Sequence, residues 1–158
     1  MKTILINLYE YDELSEEARE RAIEKLCDIN IDHEWWDYVY DDAENIGLKI
    51  TGFDIDRRSY CEGDFIEYPE EVARLIIENH GESCETYKTA KAFLGAIKDI
   101  DLDEDDMPEE EINEFKRSLL EDYRIMLQHE YEYKTSTEAI EETIRINEYQ
   151  FTEDGSIF

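Results

Sequence analysis

Two aspartates at alternate positions are the first residues whose spacing suggests chemistry. Asp54 and Asp56 lie in FDIDR, a predicted strand, so their side chains would share one face. Such a pair could hold a magnesium ion, with Arg57 or Arg58 nearby to bind a phosphate. The pattern is common by chance in a chain this acidic, and a pair of solvent-facing carboxylates is the simpler interpretation.

An acidic stretch near residue 100 partly matches a calcium-binding loop. Positions 1, 3, 5 and 12 of the EF-hand pattern are occupied by Asp99, Asp101, Asp103 and Glu110. The pattern requires glycine at position 6 for a sharp turn, and Glu104 stands there instead. We therefore expect nonspecific screening of this loop by divalent cations rather than a specific calcium site.

His80 and Cys84 are separated by a spacing that could hold a metal ion. The sequence offers no second pair of ligands at a similar spacing, so a helix-end histidine and a packed thiol are the simpler interpretation. It also contains no glycine-rich phosphate loop and no serine nucleophile elbow. The sequence thus predicts a protein that is not an enzyme and has neither a metal site nor a cofactor.

Negative charge is the dominant chemical feature of the chain. Its 158 residues include 44 acidic and 16 basic side chains, for a formal net charge of -28. Such a chain repels nucleic-acid backbones and anionic membranes, so a basic protein is its natural partner. Because 41% of the residues are hydrophobic, the chain is nevertheless expected to fold around a core.

Two stretches concentrate acids with no basic residue between them, one from Lys25 to Lys49 and the other from Lys98 to Lys116. Exposed helices normally mix signs, because opposite charges three or four residues apart stabilise a helix by roughly 0.2 to 0.5 kcal/mol per pair. Unpaired carboxylates on a rigid helix could instead occupy a groove that binds nucleic-acid phosphates. The predicted phosphate-mimicking residues are Glu34, Asp37, Asp41, Asp42, Glu44, Asp101, Asp103, Glu104, Asp105, Asp106, Glu110, Glu111 and Glu114.

The cysteines and the first residues of the sequence predict the cellular compartment in which the protein acts. Cys27, Cys61 and Cys84 are odd in number and irregularly spaced, which favours a reducing compartment over a disulfide framework. The start of the sequence lacks the cleavage site of a signal peptide, and no apolar stretch approaches the length of a membrane span. The expected location is cytoplasmic.

Alternating and apolar runs predict the strands. KTILINLY is predicted as the first strand, and LKITGFDIDR and GDFIEY as a hairpin around SYCEG, with a bulge at Gly52. The chain is predicted to end as a strand, an Asp-Gly turn and a short return strand.

Helical periodicity predicts the remaining elements. The predicted helix starts are marked by Ser15, Asp32, Pro69, Ser83, Pro108 and the capping box of Thr135 with Glu138. The inward stripes of the second and the long helix are Trp35, Trp36, Val39, Tyr40, Ala43 and Ile46, and Ile112, Phe115, Leu119, Tyr123, Met126 and Leu127. This order predicts one α+β domain over residues 1–158, with a small, mostly antiparallel sheet packed with about five to six helices. A variable acidic loop is expected around residues 99–108.

Four stretches resemble a family of small acidic proteins encoded by bacteriophages and prophages. They are YDELSEEARERAIEKL, WWDYVYDDAENIGLKITGFDIDR, NHGESCETYKTA and NEYQFTEDGSIF. The resemblance covers nearly the whole chain except DIDLDEDDMPEEE, and it assigns no role to any residue. It implies a phage context, in which small acidic proteins often inhibit host defence nucleases, several of them by imitating DNA.

These observations predict a non-enzymatic DNA mimic that acts in the host cytoplasm. It would block a basic, nucleic-acid-binding host protein, such as a nuclease or CRISPR effector, as anti-CRISPR or anti-restriction proteins do. The alternative is a structural or regulatory phage protein that acts through protein-protein assembly, for which the eleven tyrosines would supply contacts. A homodimer remains open, and it would let a short acidic stripe imitate a longer duplex. An acidic surface that serves solubility alone is the third interpretation.

Overall fold

The computed structural model describes residues 1–100 and 108–158. Within these residues the chain forms six α-helices and two two-stranded antiparallel sheets, which confirms the predicted α+β class. It divides into two compact units, one made of residues 1–35 and 130–158 and the other of residues 36–129. Across the described ranges, no helix combines the length and the apolar character needed to cross a membrane.

The first unit joins residues from both ends of the sequence. Strand β1 (Tyr9–Glu10) pairs antiparallel with β4 (Gln150–Phe151), and helices α1 (Glu16–Lys25) and α6 (Thr137–Ile146) pack together beside them. Ser15 is the N-cap of α1, as predicted, because its hydroxyl accepts a hydrogen bond from the backbone N–H of Ala18. The buried cluster of this unit is Tyr11, Leu14, Ala18, Ala22, Ile140, Ile144 and Phe151.

The second unit holds the remaining elements. They are α2 (Asp37–Asn45), β2 (Leu48–Asp54), β3 (Tyr60–Phe65), α3 (Pro69–Asn79), α4 (Glu85–Ile97) and most of α5 (Glu109–Lys134). Strands β2 and β3 form the predicted hairpin, and its register shifts between Ile50 and Gly52, where the bulge was expected. The turn itself comes earlier than predicted, because Tyr60, Cys61 and Glu62 already belong to β3.

The predicted first strand is mostly wrong. Of KTILINLY, only Tyr9 lies in a strand, while residues 1–7 are exposed and carry no secondary structure. The reason is that β4 is two residues long and gives way to a turn after Phe151, so the first unit offers no partner for the earlier residues.

The predicted start of the acidic helix is also wrong. Asp32 does not cap α2, because the chain turns repeatedly between residues 26 and 36 and the helix begins at Asp37 after Trp36. Glu34 therefore precedes the helix, and its side chain is exposed. The predicted acidic helix surface is correspondingly shorter.

Two other helix starts are displaced by one residue. Cys84, rather than Ser83, precedes α4, and Ser136, rather than Thr135, caps α6 by accepting the Ala139 N–H at 3.2 Å. The Thr135 hydroxyl donates backward to the Tyr131 carbonyl at the end of α5, at 2.8 Å, and Ser136 is the residue whose hydroxyl accepts an N–H of α6.

The Asp-Gly turn after β4 is confirmed. Gly155 has φ of 87°, and the Thr152 N–H donates to the Ser156 carbonyl across the turn at 2.8 Å. Ile157 then bridges Phe151, which forms the short return. A Cβ at residue 155 would collide with the backbone carbonyl of Ala18, so both the backbone angle and the close approach require glycine.

We expect Gly155→Ala to lower the free energy of unfolding by about 2 kcal/mol or more, because it adds left-handed strain to a backbone collision. The control is Gly95→Ala in α4, where a Cβ would meet open space and alanine favours the helix by about 0.5 to 1 kcal/mol. Urea denaturation of both variants tests this. Equal stability of the two variants would contradict it.

Candidate partner-binding surface

One face of α2 presents a stripe of acids, which we call the α2 stripe: Asp37, Asp41 and Glu44. All three side chains are exposed, while Val39 and Ala43 on the opposite side of the helix are buried. Their spacing of four and three residues places successive carboxylates on adjacent turns. Among the described residues, no lysine or arginine nitrogen lies within 4.0 Å of any of the three.

The α2 stripe is held in place by packing rather than by local ion pairs. Two like-charge pairs along the helix each cost roughly 0.2 to 0.5 kcal/mol, and no side chain caps its first turn. Burial of Val39 and Ile46 opposes this cost. The ring of Phe53 in β2 also lies 5.7 Å from Trp36 and 6.1 Å from Tyr40, in edge-on contacts that fix the start of the helix.

Asp42 lies on the same helix but has a different environment. Its Oδ2 accepts a hydrogen bond from the Tyr123 hydroxyl at 2.9 Å and lies 3.2 Å from His80 Nε2. The interaction with His80 holds the pKa of Asp42 below its ordinary value, against the opposing effect of burial, and the Tyr123 hydroxyl lowers it further. Burial and the Asp42 charge in turn raise the pKa of Tyr123.

His80 extends this contact into a network that spans the second unit. It follows the last residue of α3, and its Nδ1 lies 2.6 Å from the Thr86 hydroxyl in α4. Its buried Nε2 lies 3.2 Å from Asp42 Oδ2 but forms no hydrogen bond within the described residues. A carboxylate, an imidazole and a hydroxyl in series also occur in hydrolase triads, but Thr86 is buried and inaccessible to a substrate. The role of the network is structural, because its four residues connect α2, α3, α4 and α5.

This network is not among the features predicted from the sequence, although the sequence contains a signal for it. Asp42 stands three residues after Val39 and four before Ile46, which places it on the inward side of α2. An acid at such a position requires a buried donor. The partner Tyr123 lies on the predicted inward stripe of α5, where the structure confirms that it is fully buried.

The second predicted acidic set is only partly described. Glu110 and Glu111 lie in the first turn of α5, where the helix dipole favours negative charge, and Glu114 forms an ion pair with Arg117 one turn later. The acids in the first turn of α5 are thus explained by their favourable interaction with the helix dipole. Five predicted phosphate mimics lie outside the described residues: Asp101, Asp103, Glu104, Asp105 and Asp106. Two of them, Asp101 and Asp103, are also half of the four residues that match the calcium pattern.

The other candidate sites have simple structural environments. Asp54 Oδ1 accepts the Asp56 backbone N–H at 2.8 Å, so it holds the turn of the hairpin. His80 is a helix-end residue, as expected, but the Cys84 thiol is exposed rather than packed. In residues 1–100 and 108–158, no group of three or more His, Cys, Asp or Glu side chains is placed to hold a metal ion.

We expect Asp42→Asn to lower the free energy of unfolding by about 1 kcal/mol at neutral pH, because a charge-assisted hydrogen bond becomes a neutral one. Asp41→Asn is the matched control on the exposed side and should change stability by less than about 0.5 kcal/mol. Urea denaturation of both variants gives the comparison.

The cost of Asp42→Asn should depend on pH in a defined direction. The lowered pKa stabilises the folded protein above the unfolded value of about 4, and this contribution is lost as the pH falls through the folded value. The difference between Asp42→Asn and the unsubstituted protein should therefore shrink in acid. A difference that stays constant from neutral to acidic pH would contradict this role of Asp42.

Comparisons of this chain with protein-family models, with curated proteins and with solved structures find no match.

Proposed function

We propose that this protein is a non-enzymatic inhibitor that uses the α2 stripe as a surrogate for nucleic-acid phosphates. Its target is a basic host nuclease of the kind that anti-CRISPR or anti-restriction proteins block. The observation that supports the proposal is the exposure of Asp37, Asp41 and Glu44 without a basic neighbour among the described residues. Such a surface lacks its cations within the chain, so a basic partner can supply them.

The geometry of the stripe suits a groove built for phosphates. Carboxylates three or four residues apart on a helix are separated by roughly 5 to 6 Å, and DNA carries a negative charge about every 1.7 Å along its axis. Proteins that bind this array use clusters of lysine and arginine, which also form charge-assisted hydrogen bonds with carboxylates. The stripe therefore presents fewer charges than DNA but offers the same kind of acceptor.

Rigid presentation of the acids supports mimicry over simple solubility. The contacts of Phe53 with Trp36 and Tyr40, and the contact of Asp42 with Tyr123, fix α2 on its unit before any partner arrives. A preorganised surface loses less conformational entropy on binding than an acidic tail does. Asp42 contributes to this order rather than to the stripe, because its carboxylate already accepts the Tyr123 hydroxyl.

The net charge of -28 adds a long-range contribution. It accelerates encounter with a basic channel and disfavours acidic competitors. Glu34 in the first unit and Glu110 and Glu111 in the second contribute to this net charge rather than to the stripe. Glu114 contributes less, because Arg117 already neutralises it.

A second candidate function is assembly with another copy or with another phage protein. The observation that favours it is the exposure of three apolar side chains near the start of the sequence, Ile4, Leu5 and Ile6. Salt separates the two candidates, because it weakens a complex formed between opposite charges and spares an apolar one.

We expect the triple variant Asp37→Lys, Asp41→Lys and Glu44→Lys to abolish inhibition and to leave the fold intact. The tagged protein is first used to capture partners from host lysate at low salt, and captured proteins are eluted with rising salt and tested for competition with DNA. A nuclease or nucleic-acid-binding enzyme that elutes with salt, and whose DNA binding the protein blocks, is the expected target. The triple variant should no longer capture or block it.

The matched control changes three exposed acids of α1: Glu16→Lys, Glu20→Lys and Glu24→Lys. Both triple variants change the net charge equally, and each replaces one acid in the first turn of its helix. The control should keep most of the inhibition, because only the general steering charge is reduced. Equal inhibition by the α2 triple variant and the unsubstituted protein would refute the proposal, and equal loss in both variants would show that net charge alone acts.

A further inference from the structure

The start of the sequence forms an apolar segment that the first unit leaves uncovered. We call residues 2–8 the leading segment. Ile4, Leu5 and Ile6 are 79%, 95% and 55% exposed, and the segment runs directly into β1. Strand β1 lies at the edge of its two-stranded sheet. An exposed apolar segment that continues an edge strand is a template for pairing with another strand.

The leading segment differs in charge from the rest of the protein. KTILINL contains one lysine and no acid, in a chain where 44 of 158 residues are acidic. Two copies of such a chain repel each other, and the repulsion is least where acids are absent. A contact between copies is therefore most favourable at this segment.

We propose that two copies of this chain dimerise by antiparallel pairing of their leading segments, with Lys2 opposite the partner's Glu10. This register places Ile4 opposite Leu8 and Ile6 opposite the partner's Ile6, so the two-fold axis passes through residue 6. Because side chains alternate along a strand, the lysine, the two isoleucines, the leucine and the glutamate share one face. The pairing joins two edge strands across the dimer.

The ends of the segment favour this register. A shift of the pairing by two residues in one direction places Ile4 opposite the partner's Glu10. A shift by two residues in the other direction leaves Glu10 beyond the end of the ladder, with no lysine opposite it. The Glu10 N–H already donates to Glu13 Oε1 at 2.9 Å, so the ladder of backbone hydrogen bonds ends at this residue. The Glu10 side chain is exposed, and although it forms a capping box with the Glu13 backbone N–H, a carboxylate accepts more than one donor and can also reach the partner's Lys2.

The same segment thus supplies both halves of the interface. One strand presents a lysine at one end, a glutamate at the other and apolar residues between them, which is the arrangement that an antiparallel copy of itself complements. A self-complementary patch is what a closed two-fold dimer requires. This inference does not depend on the proposed function, because it involves none of the acids of the α2 stripe.

The first test is the molar mass of the full chain in solution, measured by light scattering after size exclusion over a range of concentrations. We expect twice the chain mass of 18.9 kDa for the unsubstituted protein. Ile6→Lys should give the single-chain mass, because it places two lysines opposite each other at the two-fold axis. The matched control is Ile66→Lys, whose side chain is 54% exposed, and it should remain dimeric.

Charge reversal tests the register. Lys2→Glu alone places acids opposite each other twice in the dimer and should raise the dissociation constant on the order of tenfold. Glu10→Lys alone should have a similar effect, and the double variant should restore most of the affinity because the pairs are formed again with exchanged signs.

The proposal is overturned if the unsubstituted protein has the single-chain mass at every concentration up to the millimolar range. It is also overturned if Ile6→Lys remains dimeric, or if Ile6→Lys and Ile66→Lys dissociate the dimer equally. A double charge variant that is weaker than both single variants would reject the register. Added salt should strengthen this dimer, since it screens two chains of charge -28, whereas it weakens a complex with a basic nuclease, so the two proposals fail separately.

Discussion

The shortage of cations is the constraint on which the rest of this structure depends. With 16 basic side chains for 44 acidic ones, most carboxylates have no ion pair available within the chain. Ion pairs such as Asp12 with Arg145 join some elements, but several other carboxylates that hold tertiary structure accept hydrogen bonds from hydroxyl groups, which cost no positive charge. Three such pairs each join separate elements, at 2.6 to 2.9 Å: Asp42 with Tyr123, Asp122 with Thr89, and Glu141 with Tyr11. Some of the eleven tyrosines and of the threonines thus donate the hydrogen bonds to carboxylates that arginine donates in other proteins.

Much of the fold could be predicted from the sequence, because helical periodicity records which residues must be buried. Phe115, Leu119 and Tyr123 were placed on the inward face of α5 by their spacing alone, and all three are buried. Helix starts were less predictable, because neighbouring residues can offer equivalent capping groups. Thr135 and Ser136 both carry a hydroxyl that donates back to α5, and that of Ser136 is the one that accepts the Ala139 N–H. The strand predicted for the leading segment failed for a different reason: strand propensity does not show whether a partner strand exists.

The candidate surface was predictable in composition but not in detail. The sequence placed five acids of residues 34–44 on one outer surface, whereas the structure puts Glu34 before the helix and turns Asp42 inward. The inward position of Asp42 follows from the helical repeat. The buried donor that offsets the cost of placing its carboxylate there is the Tyr123 hydroxyl of α5, some eighty residues later in the chain. Long-range pairs of this kind leave no local pattern. Only Asp37, Asp41 and Glu44 therefore remain as a continuous stripe on α2.

The shortage of cations does not by itself explain why α2 has none. On α5, Arg124 binds both carboxylate oxygens of Glu121 at 2.7 and 2.8 Å, and Arg117 pairs with Glu114. The pair of Arg117 with Glu114 is exposed, and such pairs contribute little stability, so its placement is not forced by folding. If acids served solubility alone, the few basic residues could be spread evenly, and α2 would gain from one as much as α5 does. The uneven distribution leaves α2, a packed helix, with uncompensated charge, which is where the proposed basic partner would relieve repulsion.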